Sequence, residues 1–159
     1  MFDSPLRGSI RVGIPDDYAE SVLESILLQF ARQHPEVEVT ARFGCTSKFP
    51  DAIKKHSLDV AVVSEASAAN EYSMAPEQNV WLASSDINIS QLDVVPLAIL
   101  DRDCSWRYFG SDALTEAGIK WRIAYSAETF AGVKAAIRSG LAIGALPKRL
   151  MEALSLIHI

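Results

Sequence analysis

The chain has 159 residues, 49% of them hydrophobic and 22% charged, with a formal net charge of -5. That length buries one substantial core or two small lobes, and the composition is that of a globular chain, not a disordered one. The acidic balance excludes a chain that grips a phosphate backbone by itself, because such binding depends on concentrated Lys and Arg.

Read in chain order, Ile10 to Ile14 alternates and then meets Pro15, the pattern of a strand ending at a turn. Asp17 and Glu20 form a capping-box-like start to a helix. Its apolar face is Tyr18, Val22, Leu23, Ile26, Leu27, Phe30 and Ala31, and Pro35 stops it. Val37, Val39, Ala41 and Phe43 alternate with polar residues in a second strand that ends at Gly44. Ser47 is placed to cap a short helix with Pro50 in its first turn. Leu58 to Val63 is a nearly continuous apolar run, as in a strand covered on both faces. The order β-α-β-α-β predicts a parallel sheet with right-handed crossovers.

Residues 65–79 lack periodicity and read as a loop. A short strand over 80–83 follows, then turn residues over 84–93 that suit a crossing between lobes. The second half repeats the alternation. A strand at 94–100 leads to a helix at 105–117 closed by Gly118, and a strand at 122–125 leads to a helix capped by Ser126 or Thr129. That helix runs to Gly140, and a last strand at 141–146 ends at Pro147. No internal repeat suggests a solenoid.

In an open parallel sheet, ligands bind beyond the carboxyl ends of the strands, where helix N-termini also point. Here that edge is marked by 15–17, 44–47, 64–66, 101–106 and 126–129. Helix capping alone accounts for most of the Ser, Thr and Asp residues taken singly; as a set they mark a ligand edge. The charges there are mixed: Asp16, Asp17, Asp101 and Asp103 against Lys48 and Arg107. Solvated first-turn carboxylates explain the acids, with a zwitterionic or amine-bearing ligand as the sharper alternative.

Catalysis finds little support. Cys104 at a helix start has a lowered-pKa setting, but His34 and His56 fall at the opposite ends of their helices and His158 in the terminal segment. The same scatter leaves no metal-ligand cluster. Gly8-x-x-x-x-Gly13 lacks the lysine of a phosphate loop, and Gly140-x-x-x-Gly144 needs no membrane explanation. No cofactor and no metal are expected. Trp81 and Trp121 read as core residues, and Trp106 stays open between core and cleft. Cys45 and Cys104 lie at the ligand edge, one in each half. A redox switch between them is weighed against the commoner ordinary free thiols. Two cysteines, no signal pattern and no membrane-length apolar run imply a soluble, cytoplasmic protein.

Several stretches, in order over about 8–150, together resemble the effector-binding domain of LysR-type transcriptional regulators. They are Gly8-Ser-Ile-Arg-Val-Gly-Ile-Pro-Asp-Asp-Tyr, Phe30-Ala-Arg-Gln-His-Pro-Glu-Val, Lys55-His-Ser-Leu-Asp-Val-Ala-Val-Val, Val80-Trp-Leu-Ala-Ser, Cys104-Ser-Trp-Arg and Ser139-Gly-Leu-Ala-Ile-Gly-Ala-Leu-Pro. The resemblance implies an α/β, two-lobed fold like that of type 2 periplasmic binding proteins, with mainly parallel sheets and an effector cleft between the lobes. It divides the chain into a linker remnant (1–7), lobe I (8–85), a hinge crossover (86–93), lobe II (94–153) and a truncated or non-native tail (154–159). Transferred to this sequence, the family's ligand positions are Pro15, Asp16, Thr46, Ser47, Cys104, Ser105 and Ser126. It further implies a small-molecule effector, a homodimer, and DNA binding only through a helix-turn-helix part absent here. A solute-binding component of transport with the same fold is the alternative, and an enzyme of this fold, such as a dehydratase, is the least favoured.

Overall fold

The computed structural model describes residues 6–18, 22–63, 78–102, 105–151 and 157–158. The chain divides into two compact units, Met1–Ser67 and Ala68–Ile159.

In the first unit, β1 (Gly8–Pro15), α1 (Val22–Gln33), β2 (Val37–Gly44), α2 (Phe49–Lys54) and β3 (Val60–Ala61) form a parallel sheet of order β2-β1-β3. The β1–β2 ladder is unbroken from Gly8 opposite Val37 to Pro15 opposite Gly44. As expected, α1 ends just before Pro35, and the His34 ring meets that of Phe30 at a tilt of 56° and a centroid distance of 5.0 Å. Asp16–Tyr18 forms a 3-10 turn, and Glu20, the other half of the expected capping box, lies outside the described residues. The third strand is shorter than its apolar run, although Asp59 N–H to Arg11 O (2.9 Å) and Val62 N–H to Gly13 O (2.9 Å) continue the pairing on either side.

Asp59 explains how β3 is aligned. Its carboxylate accepts from Arg11 Nε at 3.0 Å and Nη2 at 2.6 Å, and from the Arg11 backbone N–H at 2.8 Å. Those side-chain hydrogen bonds, followed by the backbone one, hold the Asp59 carboxyl down at about 2.

The second unit contains β4 (Asn79–Ala83), β5 (Val95–Leu100), α3 (Ser105–Glu116), β6 (Trp121–Ala127), α4 (Phe130–Arg138), β7 (Gly144–Pro147) and β8 (Ile157–His158). Strands β5 and β6 are parallel, with a register shift between Leu97 and Ala98. Strand β4 pairs antiparallel with both β7 and β8. A parallel bridge between Leu97 and Ile143 ties β5 to the residue preceding β7. Strand β4 thus finds its backbone partners in the later part of the chain. Residues 64–77, most of the expected loop, lie outside the described residues, as do 152–156 and 159.

Leu82, Leu97, Ile137, Ile143 and Pro147 are the most completely buried large side chains, and all belong to this unit. Trp81 and Trp121 pack against the Leu97, Ile99 and Leu114 cluster, matching their expected role. Gly118 (φ +68°) and Gly140 (φ +72°) close α3 and α4 in the left-handed conformation that favours glycine. Gly140 thus ends a helix, and the strand expected from Leu141, β7, starts at Gly144.

Candidate functional site

Because β1 and β2 end in register, the turns that follow them emerge side by side. Asp16 begins the 3-10 turn after Pro15, and Thr46 and Ser47 occupy the 3-10 turn Thr46–Lys48 after Gly44. The structure thus gathers Pro15, Asp16, Thr46 and Ser47 on one strand edge of the first unit. Pro15 is buried, Asp16 and Thr46 are half-buried, and Ser47 is exposed.

One expectation fails here: Ser47 does not cap α2. The N-cap is Lys48, without a side-chain cap bond, because the chain is already coiled in the 3-10 turn that Cys45 introduces. Pro50 does lie in the first turn of α2, where its missing N–H costs nothing.

In the second unit β5 and β6 also end in register, Leu100 opposite Ala127, and the Asp101 N–H donates to Ala127 O at 2.7 Å. Ser126 lies opposite Ile99 and is exposed, while α3 begins at Ser105. Ser126 is not a cap either, since β6 carries the chain on to Ala127. Thr129 caps α4, its hydroxyl accepting from the Gly132 N–H at 3.2 Å with an extended backbone. Cys104 and Asp103 lie outside the described residues.

The same edge carries contacts that the sequence did not reveal. Trp106, in the first turn of α3, meets Phe130 of α4 edge-on at 5.9 Å and Phe109 at 6.1 Å. Arg107 forms an ion pair with Asp101, and its guanidinium lies 5.9 Å from the Tyr108 ring centroid. The Asp101 hydrogen bond pushes the Arg107 pKa further up. The sequence marks the charged residues of the Arg11–Asp59 and Arg107–Asp101 pairs without saying which partner each takes. Arg11 and Asp59 each interrupt an apolar strand with opposite charge, and Arg107 places a cation in a first helical turn six residues after an acid.

His34 and His56 follow the C-terminal ends of α1 and α2, whereas Cys45 follows β2. Among the described residues, no group of three or more His, Cys, Asp or Glu is placed to hold a metal ion. No helix among them is long and apolar enough to cross a membrane. The arrangement is suited to hydrogen bonding and charge recognition of a small molecule at strand ends.

The topology is that of an α/β domain of the type 2 periplasmic-binding-protein kind. Residues 3–156 match the LysR substrate binding domain family, and the chain belongs to it. It is 36% identical over 149 residues to the HTH-type transcriptional regulator DgdR of Burkholderia cepacia, covering 93% of this chain and 51% of that protein. The chain thus spans about half the length of the curated relatives it matches. The fold is similar to the cofactor-binding domain of the Cbl transcriptional regulator (TM-score 0.75, 18% identity, 100% of this chain and 76% of that one). It is also similar to the effector-binding domain of QuiR in complex with shikimate (TM-score 0.68, 16% identity, 97% and 80%).

Proposed function

We propose that this chain is the effector-sensing part of a LysR-type DNA-binding transcription regulator, taking up a small metabolite at its strand edges and carrying out no chemistry. The observation that carries the reading is the position of Ser47 and Ser126. Ser47 lies in the turn that follows parallel strand β2 and Ser126 is the penultimate residue of parallel strand β6; both are exposed, and neither hydroxyl serves as a helix cap. Pro15, Asp16 and Thr46 stand beside Ser47, and Ser105 begins the helix after the strand that neighbours Ser126. Cys104 is included on the resemblance alone. The shikimate held by the QuiR domain makes small organic acids the first class to screen.

The remaining parts of the reading rest on the family. A cytoplasmic regulator fits the composition, and the net charge of -5 supports assigning DNA contact to a helix-turn-helix part outside these 159 residues. A second copy is the proposed protein partner. The exposed Ile26, Leu27 and Leu28 of α1 offer apolar surface for it.

A thermal-shift screen of the chain against organic acids, amino acids and aromatic metabolites tests the reading. A ligand at about a hundredfold over its dissociation constant adds about 2.7 kcal/mol of stability. The expected result is a specific upward shift that Ser47→Ala or Ser126→Ala reduces. A shift untouched by both substitutions would remove these edges from the site.

A further inference from the structure

Arg107 sits where a cation is electrostatically misplaced. It is the third residue of the twelve-residue helix α3, at the end where the helix macrodipole is positive and acidic side chains are favoured. The guanidinium is nonetheless well held, with its side chain only 29% exposed and packed near the Tyr108 ring. Its partner Asp101 is the open member of the pair, with its side chain 53% exposed. The Asp101 backbone is fixed against Ala127, so the carboxylate stands just past the carboxyl end of β5, two residues beyond Ile99, which lies opposite Ser126. Trp106, the residue before Arg107 in the first turn of α3, is anchored edge-on to Phe130. A cation retained against its local electrostatics, fixed in place and shielded by an exchangeable carboxylate, is the kind of local conflict that proteins keep where function needs it.

We propose that Asp101 is a resident competitor for the Arg107 guanidinium, so that this edge takes a carboxylate-bearing effector by exchange of one carboxylate for another. This deepens the sensor reading and rests on it. With Asp101 in place the cation is neutralised, and stray anions gain little by approaching. A planar carboxylate that also makes further contacts at Ser126 and along Trp106 has enough to displace it, and the guanidinium fork matches its geometry. Asp101 thereby sets selectivity, and Arg107 supplies the charge that is read.

The test uses the 159-residue chain and acid–amide pairs as probes: acetate, benzoate and shikimate, each against its own amide. Dissociation constants are measured for the wild type, Asp101→Asn, Asp101→Ser, Arg107→Gln and Arg107→Lys. Acids are expected to bind more tightly than their amides. Both Asp101 variants gain about twofold to fivefold for the acids only, the scale of a lost exposed ion pair. Arg107→Gln loses about tenfold or more for acids and nothing for amides, the scale of a charge-assisted hydrogen bond. Arg107→Lys, which keeps the charge and loses the fork, falls between. Acids that bind equally well to all five proteins would overturn the exchange while leaving the sensor reading intact. Amides that bind as well as acids would do the same. Failure of every probe on every protein counts against both.

Discussion

In the second unit, Leu82 and Ile137 are fully out of water and Leu97, Ile143 and Pro147 nearly so. In the first unit the best-protected large apolar side chains are Leu58 at 3% exposure and Ile14 and Phe49 at 6%. The local plan is the same in both, a strand, a helix and a parallel strand. What differs is what closes over the sheet. In the second unit α3 and α4 both pack on β5 and β6, and the antiparallel β7-β4-β8 layer joins them. In the first, Ile26 and Leu28 of α1, Phe43 of β2 and Val60 of β3 keep about half their surface in water. Apolar patterning secures the element; burying it takes a neighbour that the local pattern does not specify.

The sharpest way to break this comparison is to cut into the deeper core. Ile137→Ala removes a fully buried side chain that packs beneath Gly144, and should cost about 2–5 kcal/mol. Hydrogen exchange under native conditions should then show the second unit's amides losing protection that they hold over the first unit's in the wild type. Equal protection across both units in the wild type would mean that burial depth does not govern local opening here.

A gain is expected in the shallower unit. His56 follows α2 with φ at 54°, in the left-handed region that costs a side-chain-bearing residue about 1–2 kcal/mol. His56→Gly should therefore raise stability by about 1 kcal/mol, read as a higher denaturation midpoint. A loss would show that the imidazole does more than tolerate the turn.

The smallest effect should be the acid response of the Arg11–Asp59 clasp. Hydrogen bonding from Arg11 lowers the Asp59 carboxyl from its ordinary value of 3.8 to about 2 in the folded chain. Its contribution is thus fully present above pH 4 and lost as pH falls through about 2. Both partners are substantially exposed, so the step is slight. Arg11→Gln should remove it from the pH dependence of unfolding, and an unchanged acid limb would assign that limb to other carboxylates.

Much of the candidate site was legible because strand ends are. Pro15 and Gly44 break the alternation where β1 and β2 stop, and the site residues follow those breaks. The capping assignments were less secure, because Ser47 and Ser126 have the right residue type near the right boundary. Only backbone geometry distinguishes a cap from a residue inside a turn or strand, and it selects Thr129 in the second unit. The ion pair at Asp101 and the Trp106–Phe130 contact depend on how one helix start lies over a strand end and against the next helix.

Periodicity and turn chemistry thus determined the elements, the parallel pairing of β1 with β2 and of β5 with β6, and the strand ends that carry the candidate site residues. Those signals are local, carried by alternation, by prolines and by helix-ending glycines such as Gly118 and Gly140. Tertiary structure alone decided that β4 belongs with β7 and β8, that Asp59 locks onto Arg11, and that the Arg107 guanidinium is held by Asp101. Each is a pairing between groups brought together only when separate elements dock. The free energy that selects it lies in burial and directed hydrogen bonds, not in the propensity of either segment.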